Sequence, residues 1–172
     1  MSRPLLADAF AHHVWATIRL IDACHSLGPE QLEASATGTY GPILATMRHI
    51  VAADAGYLSL LSDGQVDLID DAAEAMMDLA QLRSVMEAHG PIWVSLIAGD
   101  LDPDRMVIRH RDDGSESHAP LGIRLAQVIH HGSDHRSQVC TDLTTIGIEP
   151  PAIDVWDFAE HEGRLRVVEP AT

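Results

Sequence analysis

Apolar and polar positions alternate with a helical period along most of the chain. Leu6, Phe10, Val14, Ile21 and Cys24 recur at steps of three, four and seven residues, which places them on one face of a helix with 3.6 residues per turn. This predicts a first helix from about Leu5 to Leu27, stopped by Gly28-Pro29. A second helix is expected from about Pro42 to Leu61, entered through Gly41-Pro42 and left at Ser62-Asp63-Gly64. Asp70, Asp71 and Glu74 open a third, because acidic side chains suit the positive end of a helix. Pro91 should kink that helix, since it offers no amide proton to the carbonyl one turn earlier.

The period changes at Arg105 to Arg111, where Met106, Ile108 and His110 alternate with Val107, Arg109 and Arg111. With the turn residues Asp112-Asp113-Gly114-Ser115 behind it, this segment predicts a strand, a turn and a second strand reaching about His118. A last long helix follows from about Leu121 to Ile146 and stops at Gly147. After Glu149-Pro150-Pro151, Ile153 to His161 predicts a short terminal helix. The expected fold is all-α: one domain over residues 1–172, a four-helix bundle with a short β-hairpin between helices three and four and a short C-terminal helix.

Composition narrows the chemistry. The 172 residues are 46% hydrophobic, enough for a core. With 26 acidic and 11 basic side chains the net charge is −15, which repels nucleic-acid phosphates and anionic membrane surfaces. No stretch approaches the roughly 20 apolar residues of a membrane span. The start, MSRPLLADAFAHHVW, has its apolar run interrupted by Asp and His and does not read as a signal peptide, so a cytoplasmic location is expected. Every basic residue is arginine. The absence of lysine excludes a P-loop lysine, Schiff-base catalysis and pyridoxal phosphate chemistry, and the absence of asparagine excludes a Cys-His-Asn protease. There is no G-x-S-x-G, no Gly-rich phosphate loop and no C-x-x-C. Cys24 and Cys140 lie in helical patterns as small buried hydrophobes.

What the chain has instead is 11 histidines. In VIHHGSDHRSQV, on the last long helix, Val128, His131, Gly132, His135 and Val139 share one sector, while His130 and Asp134 point away. His131 and His135 are therefore an i,i+4 pair on the inner face, able to reach one point from adjacent turns as H-x-x-x-H metal sites do. Two core histidines satisfied by hydrogen bonds would show the same spacing. His49 adds a third candidate ligand. Its same-face neighbours are Ala45, Ala52, Ala53 and Gly56, four small residues where a packed core would carry Leu or Ile, and the gap fits an ion with its water or substrate. A close helix–helix contact is the alternative. His13, between Phe10 and Thr17 in the first helix, is a wall residue of that cavity, a fourth ligand or an ordinary buried ring, whereas His12 points outward. His25, His89, His110, His118, His130 and His161 read as surface residues.

The pieces HHVWATIRLID, TYGPILATMRHIVAAD, HGSDHRSQV and IGIEPPAIDVWDF, in this order around the hairpin, resemble the DinB-like superfamily of metal-binding four-helix bundles over nearly the whole chain. The resemblance implies a histidine triad, here His49, His131 and His135, holding a divalent metal. Ser137 stands where the commonest form has Gly. Some relatives are transferases or isomerases that use a low-molecular-weight thiol, and members often pair as homodimers. Three imidazoles leave a coordination position open, as catalytic sites do. The expected function is thus a metal-dependent, thiol-dependent transferase or isomerase acting on a small-molecule substrate. The alternatives are a metal-dependent hydrolase and a metal-binding stress protein without turnover. Zinc, nickel, iron and manganese are not distinguished by nitrogen ligands. His13, Arg136, Gln138 and Trp156, the last beside Asp154 in the tail, are the expected pocket residues.

Overall fold

Side-chain caps decide where several helices begin. In the computed structural model, which describes residues 3–62, 64–111 and 113–168, the Asp70 side chain accepts from the Ala73 N–H, that of Asp78 from Gln81 and that of Asp154 from Trp156 and Asp157. These contacts satisfy amide protons that a helix's first turn leaves without partners. Asp63 and Asp112, both expected in turns, lie outside the described residues.

Among the described residues the elements run α1 (Ala7–Cys24), α2 (Pro29–Leu32), α3 (Ile43–Leu61), α4 (Asp71–Met76), α5 (Leu79–Ile97), β1 (Met106–His110), β2 (Glu116–Pro120), α6 (Leu121–Thr145) and α7 (Val155–His161). The chain is predominantly helical with one two-stranded antiparallel sheet. The helix expected from Asp70 onward is in fact two. Met77 and Asp78 are extended, and the reciprocal Asp78–Gln81 capping box starts a new helix. α5 then runs through Pro91 without interruption. The four-residue α2, opened by Pro29, was not anticipated.

The long helices pack α1 on α5 and α6, and α3 on α5 and α6. Their apolar faces make two clusters, one including Leu20, Ile21, Met47, Met86 and Val139, the other Phe10, Leu58, Trp93, Leu121 and Leu125. On each long helix a buried polar residue falls between the stretches that feed the two clusters: His13, Asp54, His89 and Arg136. α7 lies against α1, where Trp15 packs on Phe158 at 5.5 Å and Arg19 Nε donates to the Ala152 carbonyl at 2.8 Å. No helix among the described residues is long and apolar enough to cross a membrane.

Candidate metal centre

Helical phase delivers three imidazoles to one point. His131 and His135, four residues apart on α6, bring their ring centroids to 4.4 Å. Across the α3–α6 contact, His49 lies 5.0 Å from the first ring and 4.9 Å from the second. One ligand atom from each of the three lies within 4.8 Å of the others, so the cluster could hold a metal ion. The His131 and His49 Nε2 atoms are 3.1 Å apart, close to the edge of about 3.3 Å expected when two imidazole nitrogens share a tetrahedral zinc. The donor set fits the ion that such a site would take: three imidazole nitrogen ligands of borderline softness.

Neighbouring groups fix these rings. The acceptor Gln138 Oε1 lies 3.0 Å from His135 Nδ1 and receives the Tyr40 N–H at the same distance. His135 must therefore carry its proton on Nδ1, which leaves Nε2 with a free lone pair. Tyr40 is held on the α6 side by that bond, and by the Ala36 N–H donating to Asp142 Oδ1 earlier in the same loop. From there its ring stacks on His49 at 4.3 Å and 14°. Burial, with His135 close by, pushes His49 below the ordinary histidine range. Burial, then the neighbouring His135, His49 and His13, hold His131 at about 4. Both are neutral near pH 7, the form that binds metals.

Beside the triad opens a cavity of about 780 Å³, ample for a small organic molecule. Ala52, Ala53 and Gly56 line it together with His49 and His131, and Ala45 borders a smaller space that His49 and Tyr40 also line. A Cβ on Gly56 would meet nothing within 4 Å. The small residues around His49 thus do leave room, as their spacing implied. Tyr57, also in the cavity wall, stands edge-on to His131 at 6.4 Å.

Of the pocket residues read from the sequence, Gln138 touches the triad and the other three lie elsewhere. His13 is buried with both ring nitrogens engaged: Nε2 lies 2.9 Å from Asp54 Oδ1 and Nδ1 lies 3.1 Å from Arg136 Nη1. It has no nitrogen left for a metal. Arg136 is buried too, donating to Thr17 Oγ1 at 3.1 Å and to Ser133 Oγ at 3.3 Å. Burial lowers its pKa to about 10, even with Asp54 nearby acting the other way. Trp156, on α7, is 70% exposed and does not line the cavity.

Two histidines assigned to the surface are not there. His89 is buried, its Nδ1 2.7 Å from Asp54 Oδ2. His12 is half-buried under the tail, with Nε2 2.8 Å from the Ile153 carbonyl. Asp54, which sequence reasoning missed, is the hub of this interior: it also accepts from Trp93 Nε1. Burial pushes its carboxyl up, but the hydrogen bonds from His13 and His89 together outweigh that and hold it at about 2. An acid on the apolar face of α3, three residues past Val51, was the available signal. Tyr40 carried none, since it reaches the site from a loop. Cys24 is buried, its thiol pushed up to about 12 by burial, in keeping with a small core residue.

A family model described as the DinB family matches residues 1–170. No curated protein matches the chain.

Proposed function

Since the chain belongs to the DinB family, we propose that it is a divalent-metal-dependent enzyme of four-helix-bundle type, with His49, His131 and His135 as ligands and a low-molecular-weight thiol as co-substrate in a transferase or isomerase reaction. The observation that carries this reading is three imidazoles converging on one point beside a cavity, lined by His49 and His131, that is large enough for an organic thiol and an electrophile. A bound divalent ion supplies Lewis acidity that favours the deprotonated form of a thiol at neutral pH.

The chain's own residues do the rest. Gln138 keeps the His135 proton on Nδ1, away from the shared point. Tyr40 covers one face of the His49 ring and limits water there. Ala52, Ala53 and Gly56 leave the wall open, so a reacting molecule can lie against His49 and His131. The Asp54–His13–Arg136 chain ties α1, α3 and α6 together below the ligands, so that the i,i+4 pair faces His49 in fixed register.

The test is conjugation of a small electrophile by the metal-loaded protein across a panel of thiols. Product formation that requires both the metal and a particular thiol is expected. Absence of conjugation with every thiol would overturn the transferase reading in favour of a metal-binding protein without this turnover.

A further inference from the structure

The cavity beside the triad has a cationic end that the metal reading does not use. Arg124 precedes His131 by seven residues on α6, which puts it on the same face about 10 Å along the axis. Its Nη2 donates to the Ser117 carbonyl at 2.7 Å and to Ser117 Oγ at 2.9 Å. Ser117 on β2 is the direct cross-strand partner of Arg109 on β1, so the sheet gathers both arginines at one end of the cavity, and both line it.

Among the described residues neither is paired with a carboxylate: the arginine ion pairs there involve Arg3, Arg83 and Arg164, and Arg124 Nε is buried without a hydrogen-bond partner. In a chain with 26 acidic and 11 basic side chains, carboxylates are plentiful, and two arginines sharing a cavity without one is notable. The acidic residues that line the cavity are Asp70, Asp71 and Glu74. Asp71 and Glu74 also border the space next to Tyr40 and His49, and the Asp70 side chain is spent on the Ala73 N–H.

We infer that Arg124 and Arg109 form a subsite for a carboxylate of the substrate or thiol co-substrate, whose reacting group lies at the triad. Ser117 anchors one arm of the Arg124 guanidinium, and its planar fork suits a carboxylate held by two parallel hydrogen bonds. The distance between the two ends calls for a ligand with a span on the order of 10 Å, since Arg124 and His131 are two helical turns apart. The inference rests on the metal reading for the position of the reacting group, though the arginines act on a carboxylate whatever holds the other end.

The test is calorimetric titration of zinc-loaded protein with ω-mercaptooctanoate and with its neutral counterpart ω-mercaptooctanol. The acid is expected to bind about tenfold or more tightly than the alcohol, as hydrogen bonds to charged groups allow. Arg124→Gln and the exposed-site variant Arg109→Gln should each reduce that preference while leaving the alcohol's affinity unchanged. Equal affinity for acid and alcohol, or a preference that survives both substitutions, overturns the inference. Binding of the alcohol reads the metal reading separately. Should zinc not be taken up, octanoate titrated into the zinc-free protein decides the subsite by NMR: displacement of the Arg124 and Arg109 guanidinium resonances supports it, and unmoved resonances overturn it.

Discussion

Gly132 and His13 meet so closely that a Cβ on the glycine would lie 2.5 Å from His13 Cε1 and 2.6 Å from its Nδ1. The ring cannot retreat, because Asp54 and Arg136 hold its two nitrogens from opposite sides. Arg136 can only donate, so His13 Nδ1 accepts and Nε2–H donates to Asp54. The imidazole thus passes an interaction between a buried cation and a buried anion, directly beneath the His131–His135 turn.

Gly132→Ala should therefore destabilise the protein. Alanine's higher helix propensity gains back at most about 1 kcal/mol, against overpacking that costs about 2 kcal/mol or more at a site with no slack. Urea unfolding midpoints measure the difference. An unchanged or raised midpoint would show that the His13 ring has freedom the hydrogen bonds deny it.

Asp54→Asn should cost more, about 3 kcal/mol, as expected when one partner of a buried ionic cluster is neutralised. The asparagine NH2 would face a donor at one of His13, His89 and Trp93. Thermal unfolding of the variant tests this, and stability equal to wild type would contradict the role of the hub.

Acid should weaken the metal-free protein in a defined order. His131 titrates at about 4 in the folded chain against 6.5 as a free side chain. A depressed folded value means that stability is full above 6.5 and is lost as pH falls from 6.5 towards 4, because the unfolded chain takes up the proton first. Asp54, at about 2 against 3.8, contributes about 2 kcal/mol that disappears below that range. Denaturant midpoints measured against pH should fall through the first window, with a smaller fall in His131→Ala. A wild-type profile that stays flat across that window contradicts this.

Gln138 should matter to the metal without touching it. Gln138→Ala frees the His135 ring and its tautomer, and a loss of about 10- to 100-fold in zinc affinity is expected for a partner of this kind. Gln138→Glu keeps an acceptor for His135 Nδ1 and for the Tyr40 N–H, and should restore most of the affinity. If the two variants bind zinc alike, the hydrogen bond does not position the ligand.

How far the sequence could be read follows from what each residue's neighbours are. The helical periods placed the long helices, and the hairpin's alternation placed the two strands. The His131–His135 pair and the small residues facing His49 were legible because their spacing lies within single helices. His89 and Asp54 were not, since the reason each is buried is the other, on a different helix. His13 sat on an apolar face like a ligand, but its partners come from α3 and α6. The break before Asp78 was missed although the Asp-x-x-Gln cap stands in the sequence, because the acidic run at Asp70 supplied an earlier and stronger start. Tyr40 belongs to a loop, where no period says which way a ring points.

Metal content of untagged protein purified without chelator tests the triad most directly. About one divalent ion per chain is expected for a site with three protein ligands. His49→Ala, His131→Ala and His135→Ala should each lose most of it. His130, exposed and paired with Asp134 at 3.0 Å on the outer face of the same helix, serves as the control, and His130→Ala should keep the wild-type content. A protein that holds no metal and takes up none on titration would contradict the metal centre, and so would a loss in His130→Ala as large as in the triad variants.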